Sequence, residues 1–350
     1  MQHLRLPPLP SIREIIQLYG LRAQKDLSQN FLLDLRLTDK IARAAGNISQ
    51  GEVVEVGPGP GGITRSIIKR NPSKVILIEK DRRFLPILEM LAEATGMKCP
   101  VELFFGDVRT FNMETIFKEE NKRSWSDRPP NIHIIGNLPF SVSTYLIIHW
   151  LEAMCNRTSA WCYGRVPLTL TFQKEVGERI TAPIMSEQRC RLSVMCQNWC
   201  HVEHKFDIPG SAFVPQPNVD VSVIRLTPLE EPVIKLPFKL VEKITRCLFS
   251  SRQKYCNKNL ELLFPVTTRE MYCKELLCRA DISYTMTPIQ FTVSEIGRLC
   301  FAYSKIVERN PKLASYNVRG NKATREILFE DAEGKDRDVM LEDEENILKC

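Results

Sequence analysis

Gly57, Gly59 and Gly62 stand in a GxGxxG spacing, with Pro58 and Pro60 between them, directly after the apolar run Val53-Val54-Glu55-Val56. Glycines at that spacing let backbone approach a nucleotide-like ligand closely. The two prolines remove two N–H donors, which a pyrophosphate would need at a helix N-terminus. A cofactor without phosphate, such as S-adenosylmethionine, loses nothing by that. Glu79 ends the next apolar run, where a carboxylate accepts from two ribose hydroxyls. Asp107 ends a third run, where its carboxylate would accept from an adenine amino group. The glycines alone also fit an NAD-binding protein or a plain tight turn. The three positions together point to a cofactor pocket.

Asn137-Leu138-Pro139-Phe140 follows a fourth apolar run. Its chemistry suits adenine N6, a poor nucleophile whose lone pair is delocalised into the ring. Acceptors that bind both N6 hydrogens favour a more pyramidal nitrogen. The Asn137 side-chain oxygen and the Leu138 carbonyl are acceptors of that kind. Pro139 fixes the turn so that the carbonyl points inward. Phe140 offers a stacking face for a base taken out of its helix. Attack on a sulfonium methyl needs no strong base, so the catalytic work is orientation and electrostatics. The bland alternative is an ordinary turn after a strand.

These residues require a sheet to hold them at one edge. Strand patterns at 53–56, 74–78, 101–105, 132–135 and 168–172 alternate with helical patterns at 62–70, 82–95 and 143–154. Such alternation predicts an α/β fold with a parallel sheet covered on both faces. Ahead of it, residues 11–25 read as a helix with Ser11 as N-cap, and Leu37, Ile41 and Ala44 mark a second. Residues 112–131 are a polar excursion, and 219–226 form a late strand. A linker follows at 227–232. Residues 238–309 have helical periodicity throughout. The domains expected are therefore 1–229, a helical 233–312, and an acidic, disordered tail at 313–350.

Composition narrows the partners. The 350-residue chain carries a net charge of +6. Residues 330–350 hold nine acids against three bases, a net of −6, which leaves +12 on the rest. A basic body suits a polyanion such as nucleic acid. No apolar run approaches the ~20 residues of a membrane span. The twelve cysteines read as reduced thiols. Cys190, Cys196, Cys200, His201 and His204 lack the paired CxxC spacing of a zinc site, so no metal is expected. Arg5 and Arg13 precede the first acid, Glu14, as in an organelle-targeting segment, although Pro7, Pro8 and Pro10 break any long helix there.

Seven segments, in this order, resemble the rRNA adenine N6,N6-dimethyltransferase family. They are Ser28-Gln29-Asn30-Phe31-Leu32, residues 55–62, Glu79-Lys80-Asp81, Gly106-Asp107-Val108, Asn137-Leu138-Pro139-Phe140, Phe172-Gln173-Lys174-Glu175-Val176 and residues 213–220. Arg252-Gln253-Lys254-Tyr255-Cys256 and residues 6–16 look like its mitochondrial branch. The resemblance implies a class I methyltransferase (Rossmann-like) sheet and a helical C-terminal domain. It implies S-adenosylmethionine as cofactor and dimethylation of two adjacent adenines in a hairpin near the 3′ end of small-subunit rRNA. It also implies the mitochondrial matrix and a pre-ribosomal small subunit as setting. Carried over, Gln29 and Leu32 border the cofactor, Gly57 and Gly59 pass beneath it, and Glu79, Lys80, Asp107 and Val108 hold its ribose and adenine. Asn137 bridges cofactor and target, and Phe140 and Phe213 sandwich the base. Val221 departs from the serine that many members carry after Asp220. Lys174, Arg179, Arg189, Arg252 and Lys254 are candidates for phosphate contact, against the plainer reading of solvated helix faces. Two rival readings are an NAD-dependent oxidoreductase and a non-catalytic or dual-role nucleic-acid-binding factor of the mitochondrial transcription machinery.

Overall fold

A computed structural model describes residues 9–20 and 30–318. Of the tail expected to be disordered at 313–350, residues 319–350 lie outside the described residues, as does the cofactor candidate Gln29, whereas Lys312–Ser315 form a short helix with Leu313 and Tyr316 buried, which corrects the start of that tail. The chain divides into two compact units. One comprises the chain up to Thr181 together with Trp199–Glu230; the other comprises Ala182–Asn198 and the chain from Glu231.

The first unit opens with helix α1 (Ile12–Leu18), whose Ser11 and Glu14 form a reciprocal capping box that satisfies two end donors. Ile12 and Ile15 bury its apolar stripe. The described helix ends at Leu18, short of the expected residue 25, and Gly20 takes a positive φ of 57°. Then come β1 (Phe31–Leu32), α2 (Leu35–Ala44), β2 (Glu52–Val56), α3 (Gly62–Ile68), β3 (Lys74–Glu79), α4 (Leu85–Thr95), β4 (Val101–Phe105), β5 (Ile132–Gly136), α5 (Phe140–Asn156), β6 (Leu168–Gln173) and α6 (Lys174–Thr181). After α7 (Arg191–Trp199) the unit resumes with β7 (Cys200–Ile208), β8 (Phe213–Val214) and β9 (Val221–Pro228).

Seven strands form one sheet in the order β4-β3-β2-β5-β6-β9-β7. β2 and β5 are buried along their whole length, which is why they read as continuous apolar runs. The five strands from β4 to β6 are parallel. The late strand β9 runs antiparallel to both β6 and β7, so the sheet as a whole is mixed. β7 escaped the sequence pattern: as an edge strand it buries only its ends, Cys200 and Ile208, and its middle is half polar. Val53, Val75, Leu77 and Ile135 of the sheet share one buried cluster with Ile41, Ile63, Ile67 and Leu88 of the helices.

The second unit is helical: α7, α8 (Phe238–Leu248), α9 (Cys256–Leu260), α10 (Arg269–Ala280), α11 (Val293–Arg309) and α12 (Lys312–Ser315). It also takes in Ala182–Asn198, which the domain boundaries expected from sequence place in the first domain. Two buried polar groups lock that segment in. The Asn198 side-chain oxygen accepts from the Ile234 N–H at 2.6 Å. The Arg189 guanidinium donates to the Phe291 carbonyl at 3.0 and 3.1 Å and to the Ala182 carbonyl at 3.0 Å. No helix among the described residues is long and apolar enough to cross a membrane.

Candidate active site

The carboxyl ends of β2, β3 and β5 meet at an open cavity of about 680 Å³, lined by Leu32, Glu55, Gly57, Gly59, Glu79, Asn137, Leu138 and Phe140 among others. The position is where open α/β sheets bind their ligands. Gly57 and Gly59 adopt φ of +68° and +53°, which side-chain-bearing residues rarely hold. Gly62 begins α3 beneath Leu32, and a Cβ there would meet the Leu32 carbonyl at 3.1 Å.

Glu79 ties this floor together. Its Oε2 accepts from the Gly59 N–H at 3.0 Å, and its Oε1 accepts from the N–H groups of Lys80 and Asp81, each at 2.8 Å. Burial nevertheless raises its pKa, outweighing the three donors, so the carboxyl is poised for a partner that brings positive charge or hydroxyl donors.

A second acid in the cavity was not recognised from its spacing. Glu55 is 1% exposed, and its Oε2 has no hydrogen-bond partner. Burial pushes its carboxyl up to about 8; Thr64 opposes this and the neighbouring Glu79 adds to it, both to a smaller degree. The available signal was a single acid inside the otherwise apolar strand Val53-Val54-Glu55-Val56. No lysine or arginine is found among the described residues lining the cavity. Two dry acids without a cation favour a cationic ligand and disfavour a pyrophosphate.

Asn137 closes the other wall. Its Nδ2 donates to the Asn30 carbonyl at 3.0 Å, and its Oδ1 accepts from the Thr171 hydroxyl at 2.7 Å. These bonds fix which way the amide faces, and Oδ1 keeps a second lone pair for another donor. Asn30, within the Ser28-Gln29-Asn30-Phe31-Leu32 segment, and Thr171, which no motif disclosed, are thus positioning residues. Leu138 is buried, and Phe140 stands half-buried as the first residue of α5, so Pro139 and the helix start set its ring at the cavity wall.

Three sequence expectations change here. Phe213 is 1% exposed and pairs through β8 with Leu32 of β1, which puts its ring in the core and away from the cavity wall. Phe213 is thus not among the residues that line the cavity with Phe140. Asp107 is already engaged: Arg109 grips its carboxylate at 2.5 Å and Lys80 at 3.0 Å, which holds its pKa well below the usual range. Asp107, Lys80 and half-buried Val108 stand outside the cavity lining. Arg189 is 1% exposed and spends its donors on carbonyls, so it is a core residue and not a phosphate contact.

The other basic candidates are accessible. Lys174 lies 3.5 Å from Asp207, and Arg179 pairs with Glu175 one turn away. Arg252 and Lys254 are exposed. Cys196 and Cys200 are buried, and among the described residues no cluster of His, Cys, Asp or Glu has the makeup of a metal site.

Comparison with known proteins agrees with this geometry. A family model described as ribosomal RNA adenine dimethylase matches residues 20–293. The chain is 50% identical over 345 residues to a Xenopus laevis protein named dimethyladenosine transferase 1, mitochondrial, covering 99% of this chain and 97% of that one. It is 53% identical over 332 residues to the Homo sapiens protein of the same name, covering 95% of each. Among solved structures, a dimethyladenosine transferase from Plasmodium falciparum superposes with a TM-score of 0.60 at 22% identity, over 78% of this chain and 96% of that one. The 23S rRNA methyltransferase ErmE gives 0.52 at 21% identity, over 78% and 99%. Both likenesses bear on the fold.

Proposed function

The chain belongs to the ribosomal RNA adenine dimethylase family, and from that membership we propose that it uses S-adenosylmethionine to dimethylate N6 of two adjacent adenines in the 3′-terminal hairpin of mitochondrial small-subunit rRNA. The setting we assign is the pre-ribosomal small subunit in the mitochondrial matrix, where the modification supports assembly. The observation that carries this reading is that one cavity is lined both by the Glu79-anchored glycine turn and by Asn137, Leu138 and Phe140.

The cavity fits the cofactor. Glu55 and Glu79 are buried acids in a cavity that no lysine or arginine lines, and a ligand with an ammonium and a sulfonium would supply positive charge there. When bound, the cofactor provides an electrophilic methyl group. Glu79 would hold the ribose diol, while the left-handed turn at Gly57 and Gly59 leaves room for close approach. Asn137, held by Thr171 and Asn30, would present its remaining lone pair to one N6 hydrogen, and the Leu138 carbonyl would take the other. Phe140 would stack on the extruded base. These residues orient a weak nucleophile toward a methyl group, which is worth far more than any single contact.

The test is methylation of the hairpin RNA with labelled cofactor, followed by nucleoside analysis. N6,N6-dimethyladenosine at two adjacent positions is the expected product. Normal cofactor binding with no labelled adenosine would refute the reading.

A further inference from the structure

The helical unit carries a surface for which the cavity does not account. Arg252, Lys254 and Tyr255 lead into α9, Lys258 lies within it, and all four are exposed. This segment is pinned to the turn at 283–286. The Cys256 N–H donates to the Met286 carbonyl at 2.8 Å, and the Cys256 thiol donates to the carbonyls of Ser283 and Tyr284 at 3.4 and 3.6 Å. Tyr255 and Tyr284 therefore stand on adjoining surface turns, 54% and 63% exposed. Arg252 is held at the margin of the same surface, its Nη1 donating to the Glu187 carbonyl at 2.8 Å.

Single exposed rings are unremarkable, but two on adjoining turns, with three exposed cations at 252–258 beside the first of them in the chain, form a specific combination. Flat rings offer a face to any base, and neighbouring cations offer charge to the phosphates between bases. Single-stranded nucleic acid is a ligand that carries both features. An acidic protein surface would use the charges and leave the rings unexplained.

We infer that Tyr255 and Tyr284 form a stacking platform for unpaired bases of the substrate RNA, with Arg252, Lys254 and Lys258 taking the adjacent phosphates. This rests on the chain acting on rRNA, and it adds a base-contacting site that is separate from the pocket for the target adenine.

The experiment uses the full chain and a hairpin RNA with single-stranded flanks, in one form intact and in another abasic at every unpaired position except the two target adenines. Tyr255→Ala and Tyr284→Ala should each weaken binding of the intact RNA by roughly 5- to 150-fold, the range for one lost stacking contact. Tyr255→Phe and Tyr284→Phe should bind like the parent protein. The abasic RNA should bind the parent more weakly and should no longer distinguish it from the alanine variants. Lys254→Ala should reduce the salt dependence by about one phosphate contact, whereas the tyrosine variants should keep it. Both tyrosines are exposed, and the helical circular-dichroism signal and melting temperature of the full chain serve as the check on folding. Alanine variants that bind intact RNA within twofold of the parent would overturn the inference. So would phenylalanine variants as weak as alanine, or variants that keep RNA binding and lose only a protein partner. A parent protein that binds the hairpin yet yields no dimethyladenosine would remove the proposed activity and leave the platform standing.

Discussion

Glu55→Gln should stabilise the empty protein, and by an amount that depends on pH. Glu55 is 1% exposed, with one carboxyl oxygen unpartnered, and its carboxyl is pushed from 4.5 to about 8. Because the folded-state value is raised, the folded chain holds a proton between pH 4.5 and 8 that the unfolded chain has released. Stability therefore falls as pH rises through that window and levels off above it. A shift of that size corresponds to a ceiling of about 5 kcal/mol, at about 1.4 kcal/mol per unit. Coupling to Glu79 and relaxation of the cavity reduce this, and the new amide donors cost about 1–3 kcal/mol if they find no partner. The expected outcome is a variant about 1–3 kcal/mol more stable than the parent at pH 8, with no advantage at pH 5. Urea unfolding of both proteins at pH 5, 6, 7 and 8 measures it. A stability difference that is constant across that series would refute the picture of Glu55 as a buried acid without a partner. Above pH 8, where Glu55 of the parent is ionised, the same variant should bind S-adenosylmethionine more weakly, because it removes one of the two charges offered to a cationic ligand.

Other outcomes follow from the same geometry. Glu79→Ala should weaken cofactor binding by about 1.5–3 kcal/mol, the worth of a charged hydrogen bond, while RNA affinity stays put; equal cofactor affinity in calorimetry would take Glu79 out of the site. Asn137→Ala should remove most methyl transfer from a folded protein, and Thr171→Val should reduce it partway by freeing the amide; near-normal turnover in the first would sink the proposed orientation of N6. Phe140→Ala should lower transfer through about 1–3 kcal/mol of lost stacking with little change in melting temperature. Phe213→Ala should do the reverse, costing about 3–5 kcal/mol of stability as a core cavity. A Phe213→Ala protein that melts like the parent and fails only in transfer would restore Phe213 to the base pocket.

The parts of the fold that were legible are those where local chemistry and tertiary position agree. β2, β3 and β5 are buried on both faces, so their apolar runs survive any register. The glycine turn was legible because its backbone geometry excludes other residues. Three features differ from their reading in the sequence, two of them because of distant partners and one because of a near neighbour. Arg189 has the composition of a phosphate contact, and only a carbonyl 102 positions away makes it a core residue. Phe213 sits in a motif, but its two-residue strand pairs with Leu32 across most of the unit. Asp107 ends a strand as expected, yet the arginine two residues on occupies its carboxylate. Glu55 was hidden for the opposite reason: its strand is so apolar that a lone acid within it looked like part of the turn motif.

The interrupted path of the chain has a consequence for synthesis. Residues 182–198 leave the ribosome before Trp199–Glu230, which supplies the last two strands of the seven-stranded sheet, and well before Phe291. Domains tend to close in order as they emerge, at about 5–20 residues per second. The sheet can thus be completed while Arg189 still lacks the Phe291 carbonyl, for roughly the 5–20 seconds needed to make another hundred residues. An arginine suits that interval, because a guanidinium is at home in water and a large apolar side chain is not. The same group becomes an obligatory donor once α8 to α11 have formed and the Phe291 carbonyl needs it. Arg189 would then act as a late-closing latch for the helical unit, neutral during the wait and costly to omit at the end.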